Sequence, residues 1–104
     1  MNIIRRDEVL EDLINLSFYI AQNDEAAADE FLDAVAESFE RLSQMPHIGV
    51  KRRFQNPQLA GVRMWIVQGF ERHLIFYRVL DDAIEILRVL HSARDIENIF
   101  DEEN

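Results

Sequence analysis

The chain contains no cysteine among its 104 residues, so a disulfide framework, a thiolate nucleophile and a thiolate metal site are all excluded. It has one lysine, Lys51, which rules out a lysine-rich catalytic centre. The three histidines, His47, His73 and His91, are scattered and lack the close spacing of a zinc motif. Glycine-rich phosphate loops, Ser-His-Asp arrangements and metal clusters are also missing, so the expectation is no metal and no cofactor. No apolar run approaches the roughly 18 residues of a membrane span. Met1 leads directly into Asn2-Ile3-Ile4-Arg5-Arg6-Asp7 without the pattern of a secretory leader. The expected compartment is the cytoplasm, with no membrane partner. By length the chain is one domain, residues 1–104.

Charge is present but uneven. The net charge is −9, with −8 carried by residues 1–50, +5 by residues 51–78 and −6 by residues 79–104. An acidic surface argues against direct nucleic-acid binding by the chain itself. The basic segment contains Lys51, Arg52, Arg53, Arg63, Arg72 and Arg78. It forms either a local anion-facing patch or a solvated loop with ordinary surface arginines.

Residues 2–6 read as a first strand or an extended lead-in. Asp7 is placed to cap a helix over about Glu8–Gln22, because a carboxylate there can accept from free N–H groups of the first turn. Val9, Leu13, Leu16 and Ile20 recur on one face, Leu10 and Ile14 widen the stripe, and Phe18 and Tyr19 add bulk. Asn23-Asp24 breaks that helix and caps a second, over about Glu25–Gln44. Its apolar face is Ala28, Phe31, Val35, Phe39 and Leu42. So short a break implies an antiparallel helical hairpin. Spacing assigns Phe18, Phe31 and Phe39 to the core. Pro46 ends the second helix and Gly49 permits an unusual turn. Val50–Ala60 reads as a long irregular connection.

Gly61–Val67 reads as a strand, and Gly69 as a turn residue with positive φ. Arg72–Val79 and Ala83–His91 flank Asp81-Asp82 and read as a β-hairpin. Ser92 is placed to cap a last helix over roughly Ala93–Phe100, and residues 101–104 read as a frayed acidic tail. The predicted order is β-α-α-β-β-β-α, an α+β domain with the N-terminal strand and helical hairpin packed on a small antiparallel sheet.

This order resembles the RelE/ParE family of bacterial toxins, and more closely its ParE branch. The matching segments are Glu11-Asp12-Leu13, Tyr19-Ile20-Ala21, Ala26-Ala27, Leu42, Pro46, Gly49, Arg63, Leu74–Val79 and Ile84–Asp95. The last two are the most specific. The resemblance implies a type II toxin–antitoxin module, whose toxin is held inactive by a cognate antitoxin. ParE-like members poison DNA gyrase; RelE-like members cut messenger RNA on the ribosome. A degenerate member that only binds its antitoxin is a third possibility.

The ribonuclease reading needs a base, an acid and cations around the phosphate. His91, Arg63 and Arg78 are the candidates, but no carboxylate in the middle loop matches the family's glutamate base. His91 alternatively orders the turn by bonding the backbone or Asp95. Arg78 and Arg88, on facing strands, either present guanidinium groups on one face or pair with acidic neighbours. Target-binding candidates are Arg53, Arg63, Arg72, Arg78, Arg88 and Arg94. Antitoxin-binding candidates are Leu16, Tyr19, Ile20, Trp65 and Phe76, because a groove or a sheet edge can take a partner segment.

Overall fold

The computed structural model describes residues 1–102. The elements follow as β1 (Asn2–Arg5), α1 (Asp7–Ala21), α2 (Glu25–Gln44), β2 (Val50–Lys51), β3 (Arg63–Ile66), β4 (His73–Val79), β5 (Ala83–His91) and α3 (Ile96–Glu102). One sheet has the strand order β1-β5-β4-β3-β2. Strands β2 to β5 pair antiparallel, and β1 joins β5 in parallel. The sheet is therefore mixed, within the α+β class that the sequence predicts. Strand β2 lies inside the stretch read as irregular, and its two residues are too few to show a pattern.

The helical hairpin covers one face of the sheet. Val9, Phe31, Val35, Phe39 and Leu42 meet Ile75, Tyr77, Ile84, Ile86 and Val89 there. On the opposite face, Leu74, Phe76, Leu87 and Leu90 lie under Leu59, Val62 and Phe100. The long connection and α3 thus form a second layer. Strand β5 is covered on both sides, so its polar residues Glu85, Arg88 and His91 are all half-buried at steps of three.

Several local expectations change. Arg6, not Asp7, is the N-cap residue of α1, and its side chain makes no capping bond. Asp7 is already in the first turn. Asp24 does cap α2, accepting from Ala27 N–H at 3.1 Å. Asp95 rather than Ser92 opens α3, with Oδ1 accepting from Asn98 N–H at 3.3 Å. Asp101 and Glu102 belong to α3, and the rest of the expected tail lies outside the described residues. Gly69 has φ +85°, as expected of its turn.

Gly49 acts through space instead of through φ. A Cβ at that position would overlap the buried ring of Tyr77. The Tyr77 hydroxyl accepts from Gly49 N–H at 2.9 Å and donates to the Pro46 carbonyl at 2.8 Å. Burial raises the phenol's pKa above its usual value, against the Gly49 N–H and the nearby Arg63, which lower it.

Candidate functional site

The β4–β5 hairpin is not a plain ladder. Val79 to Tyr77 pair with Ile84 to Ile86, but Phe76 pairs with Arg88, so Leu87 is an extra residue. This β-bulge shifts the register by one. As a result His73 faces His91 across the strands. Without the bulge His91 would face Arg72.

The two imidazoles meet edge to face, with ring centroids 5.2 Å apart. Phe31 and Phe70 close in on His73 at 4.9 and 6.2 Å. Burial, and then the neighbouring His91, push the His73 pKa below its usual value. Its buried Nδ1 has no hydrogen-bond partner. His91 Nδ1 accepts from Ala93 N–H at 3.0 Å, which is the backbone role expected for a strand-end histidine.

Beside this pair α1 leaves a cleft of about 400 Å³. Leu16, Tyr19 and Ile20 form one wall, and His73, His91 and Arg94 the other. No carboxylate lines it. Three antitoxin-binding candidates, the target-binding candidate Arg94 and the ribonuclease candidate His91 thus share one site. Trp65 is elsewhere, packed partly into the core and lining a smaller apolar cleft with Ile48, Val50, Met64 and Ile66. Phe76 is fully buried against Phe54 and Phe100 and offers no surface.

The arginines divide sharply. Arg88 forms a two-point ion pair with Asp12 of α1, Nε to Oδ2 and Nη2 to Oδ1, both at 2.7 Å. The two side chains are only 14% and 9% exposed. Asp12 Oδ2 also accepts from Val89 N–H at 3.0 Å. Strand β1 pairs with β5 only up to Ile86, so the carboxylate takes over the open edge beyond it. The sequence allowed Arg88 an acidic partner without naming Asp12, although the signal for it was present. Asp12 is three residues after Val9 and four before Leu16, a charge on the apolar stripe that demands a partner.

Arg63 Nη1 donates to the carbonyls of His47 and Gly49, at 3.1 and 2.8 Å, and so pins the turn after α2. Arg78 Nη2 donates to the Gln58 carbonyl at 2.7 Å and lies 4.0 Å from Glu85. Arg78 and Arg88 therefore point to different elements and do not share a face. Arg52 stacks over Phe54 and Phe76, at 5.3 and 5.8 Å. Arg53, Arg72 and Arg94 are exposed, and none is held by an ion pair among the described residues.

Residues 3–96 match the family model described as ParE toxin of type II toxin-antitoxin system, parDE. The chain belongs to the ParE toxin family. It is 30% identical over 81 residues to Toxin RelE3 of Caulobacter vibrioides, covering 78% of this chain and 83% of the relative. A solved structure titled Chromosomal ParDE TA system from P. aeruginosa has the same fold, with a TM-score of 0.69 at 22% identity, covering 88% of this chain and 95% of that one. Membership in this family makes the chain a RelE/ParE-superfamily toxin of a type II toxin–antitoxin system.

No helix among the described residues is long and apolar enough to cross a membrane. No group of three or more metal-ligating side chains converges among them either.

Proposed function

We propose that this ParE-family chain acts by binding its cellular target, DNA gyrase, and that a cognate antitoxin neutralises it at the cleft beside His91. The observation that carries the binding mechanism is how the ribonuclease candidates are engaged. Arg63 and Arg78 donate to backbone carbonyls, and His91 Nδ1 is engaged by Ala93 N–H. Cleavage of RNA needs a base for the 2′-hydroxyl and an acid for the leaving oxygen, within reach of one phosphate. His91 and His73 lie together, but Arg63 and Arg78, the cations this reading calls for, are held by carbonyls away from their cleft. Gyrase as the target follows the ParE resemblance.

The cleft suits an antitoxin segment for two reasons. Its walls combine apolar side chains with Arg94 and His91, so an apolar residue flanked by acidic ones would be complemented. Tyr19 is 69% exposed, unusually open for an aromatic side chain on a packed helix.

The relative named RelE3 keeps a second reading in view, a ribosome-dependent endonuclease using His91. A supercoiling assay with purified gyrase, with and without the antitoxin, separates the two. Inhibition relieved by antitoxin supports the binding mechanism. Unimpaired supercoiling, together with ribosome-dependent RNA cuts that vanish in His91→Ala, would replace it.

A further inference from the structure

The cleft beside His91 holds two imidazoles and a guanidinium, with no acidic side chain in its walls to balance them. The ring nitrogens of the two histidines are not equivalent. His91 Nδ1 accepts from Ala93 N–H at 3.0 Å, so the neutral ring carries its proton on Nε2. A second proton on His91 would break that bond. His73 Nδ1 is buried without a hydrogen-bond partner, so a proton there displaces nothing.

The surroundings of the pair decide how it answers to charge. From α1 it meets Asn15, Leu16, Tyr19 and Ile20, of which only Tyr19 is titratable. Phe31 of α2 and Phe70 of the turn before β4 add uncharged rings. Arg94 is the one fixed charge in the walls. The nearby carboxylates are occupied or solvated: Asp12 is paired with Arg88, Asp95 caps α3, and Glu71 is exposed, as is Arg72. Burial, and then the neighbouring His91, disfavour the charged form of His73, and the Phe70 carbonyl opposes them.

We propose that an acidic side chain of the antitoxin seats its carboxylate against Arg94 and His91 in this cleft, and that His73 takes up a proton as it does so. This rests on the reading of the cleft as the antitoxin's seat, and adds the group it receives and a dependence on pH. Arg94 offers the carboxylate a charged donor and His91 Nε2–H a neutral one. The stem of the side chain lies against Leu16, Tyr19 and Ile20, which suits glutamate better than the shorter aspartate. The new negative charge offsets the repulsion between the rings and favours an imidazolium at His73. The complex then binds more protons than its separate parts, so it tightens as pH falls. The carboxylate itself stays ionised down to about pH 5.

The test titrates the whole chain with phenylpropionate, an apolar stem ending in one carboxylate, and with its neutral amide, following both histidine rings by NMR. The acid should bind about threefold more tightly at ~pH 6 than at ~pH 8 and raise the midpoint of the His73 titration, while the amide does neither. His73→Gln and His73→Phe should each abolish that pH dependence, and Arg94→Ala should weaken the acid at both pH values. Antitoxin in excess should displace the acid. Equal affinity at the two pH values, an amide that behaves like the acid, or a pH dependence surviving in both His73 variants would overturn the proton uptake. An acid that stays bound beside the antitoxin would overturn the choice of occupant instead, and assign the cleft to a free small acid.

Discussion

Two sets of arginines occupy one small protein and have opposite roles. Arg63, Arg78 and Arg88 are held by carbonyls or a carboxylate and tie distant segments together. Arg53, Arg72 and Arg94 stand exposed. The sequence makes all six look alike, as cations with no assigned partner. What separates them is whether the fold brings an acceptor within reach. A charge that has been desolvated and paired is costly to disturb, whereas a solvated one contributes little to stability. The first set belongs to the architecture, and the second stays in solvent.

The largest effect should come from breaking the Asp12–Arg88 bridge. Arg88→Ala leaves a buried carboxylate without its cation, and we expect a loss of about 3 kcal/mol in urea unfolding. Asp12→Asn keeps an oxygen for Val89 N–H and should cost less, about 1–2 kcal/mol. If Arg88→Ala unfolds with the parent midpoint, the comparison fails at its strongest point.

Next comes the turn after α2. Gly49→Ala forces a methyl group into the Tyr77 ring, and overpacking of this kind costs about 1–3 kcal/mol. Gly49→Ala should cost less in a Tyr77→Phe background than in the parent, because the hydroxyl is nearest to the new carbon. An equal cost in the two backgrounds would locate the strain elsewhere.

A smaller, pH-dependent effect should come from His73. Its folded-state pKa lies below the unfolded value of 6.5. Between those two values the unfolded chain binds more protons, so stability rises with pH. The contribution is fully present above the unfolded pKa and is lost as pH falls through the folded one. His73→Phe should flatten the fall in melting temperature as pH drops below about 6.5, relative to the parent. Parallel curves for the two proteins would show that His73 titrates alike in both states.

The smallest stability effects belong to the exposed set. Arg53→Ala, Arg72→Ala and Arg94→Ala should each shift unfolding by less than about 0.5 kcal/mol. A larger loss for any one of them would move it into the architectural group.

Much of this was legible from spacing alone. The apolar face of α2 (Ala28, Phe31, Val35, Phe39 and Leu42) is buried as its period predicts. The hairpin and its Asp81-Asp82 turn stand where the β-rich runs place them, with Leu80 N–H donating to Ala83 O at 2.8 Å. The α1 period was less decisive, because apolar residues occur on both of its sides. Phe18 therefore reads as core, yet it is 67% exposed. Tyr19 beside it is 69% exposed. Periodicity shows that a helix has an apolar face; it cannot say which of two such faces meets the sheet.

The candidate site was only half legible. His91 and Arg94 stand out in the sequence, but His73 reaches them only because Leu87 bulges, and nothing in the run Ile86-Leu87-Arg88 announces an extra residue. The engagement of Arg63 and Arg78 by carbonyls was equally hidden, since every residue carries the acceptor they use.

The most direct measurement is gyrase supercoiling inhibition by the Arg72→Ala/Arg94→Ala double variant beside the parent, each at a matched concentration of folded protein. The account predicts that the double variant needs at least tenfold more protein for the same inhibition, with its unfolding midpoint unchanged. Equal inhibition by the two proteins would contradict it, because the exposed arginines would then be surface charges and nothing more.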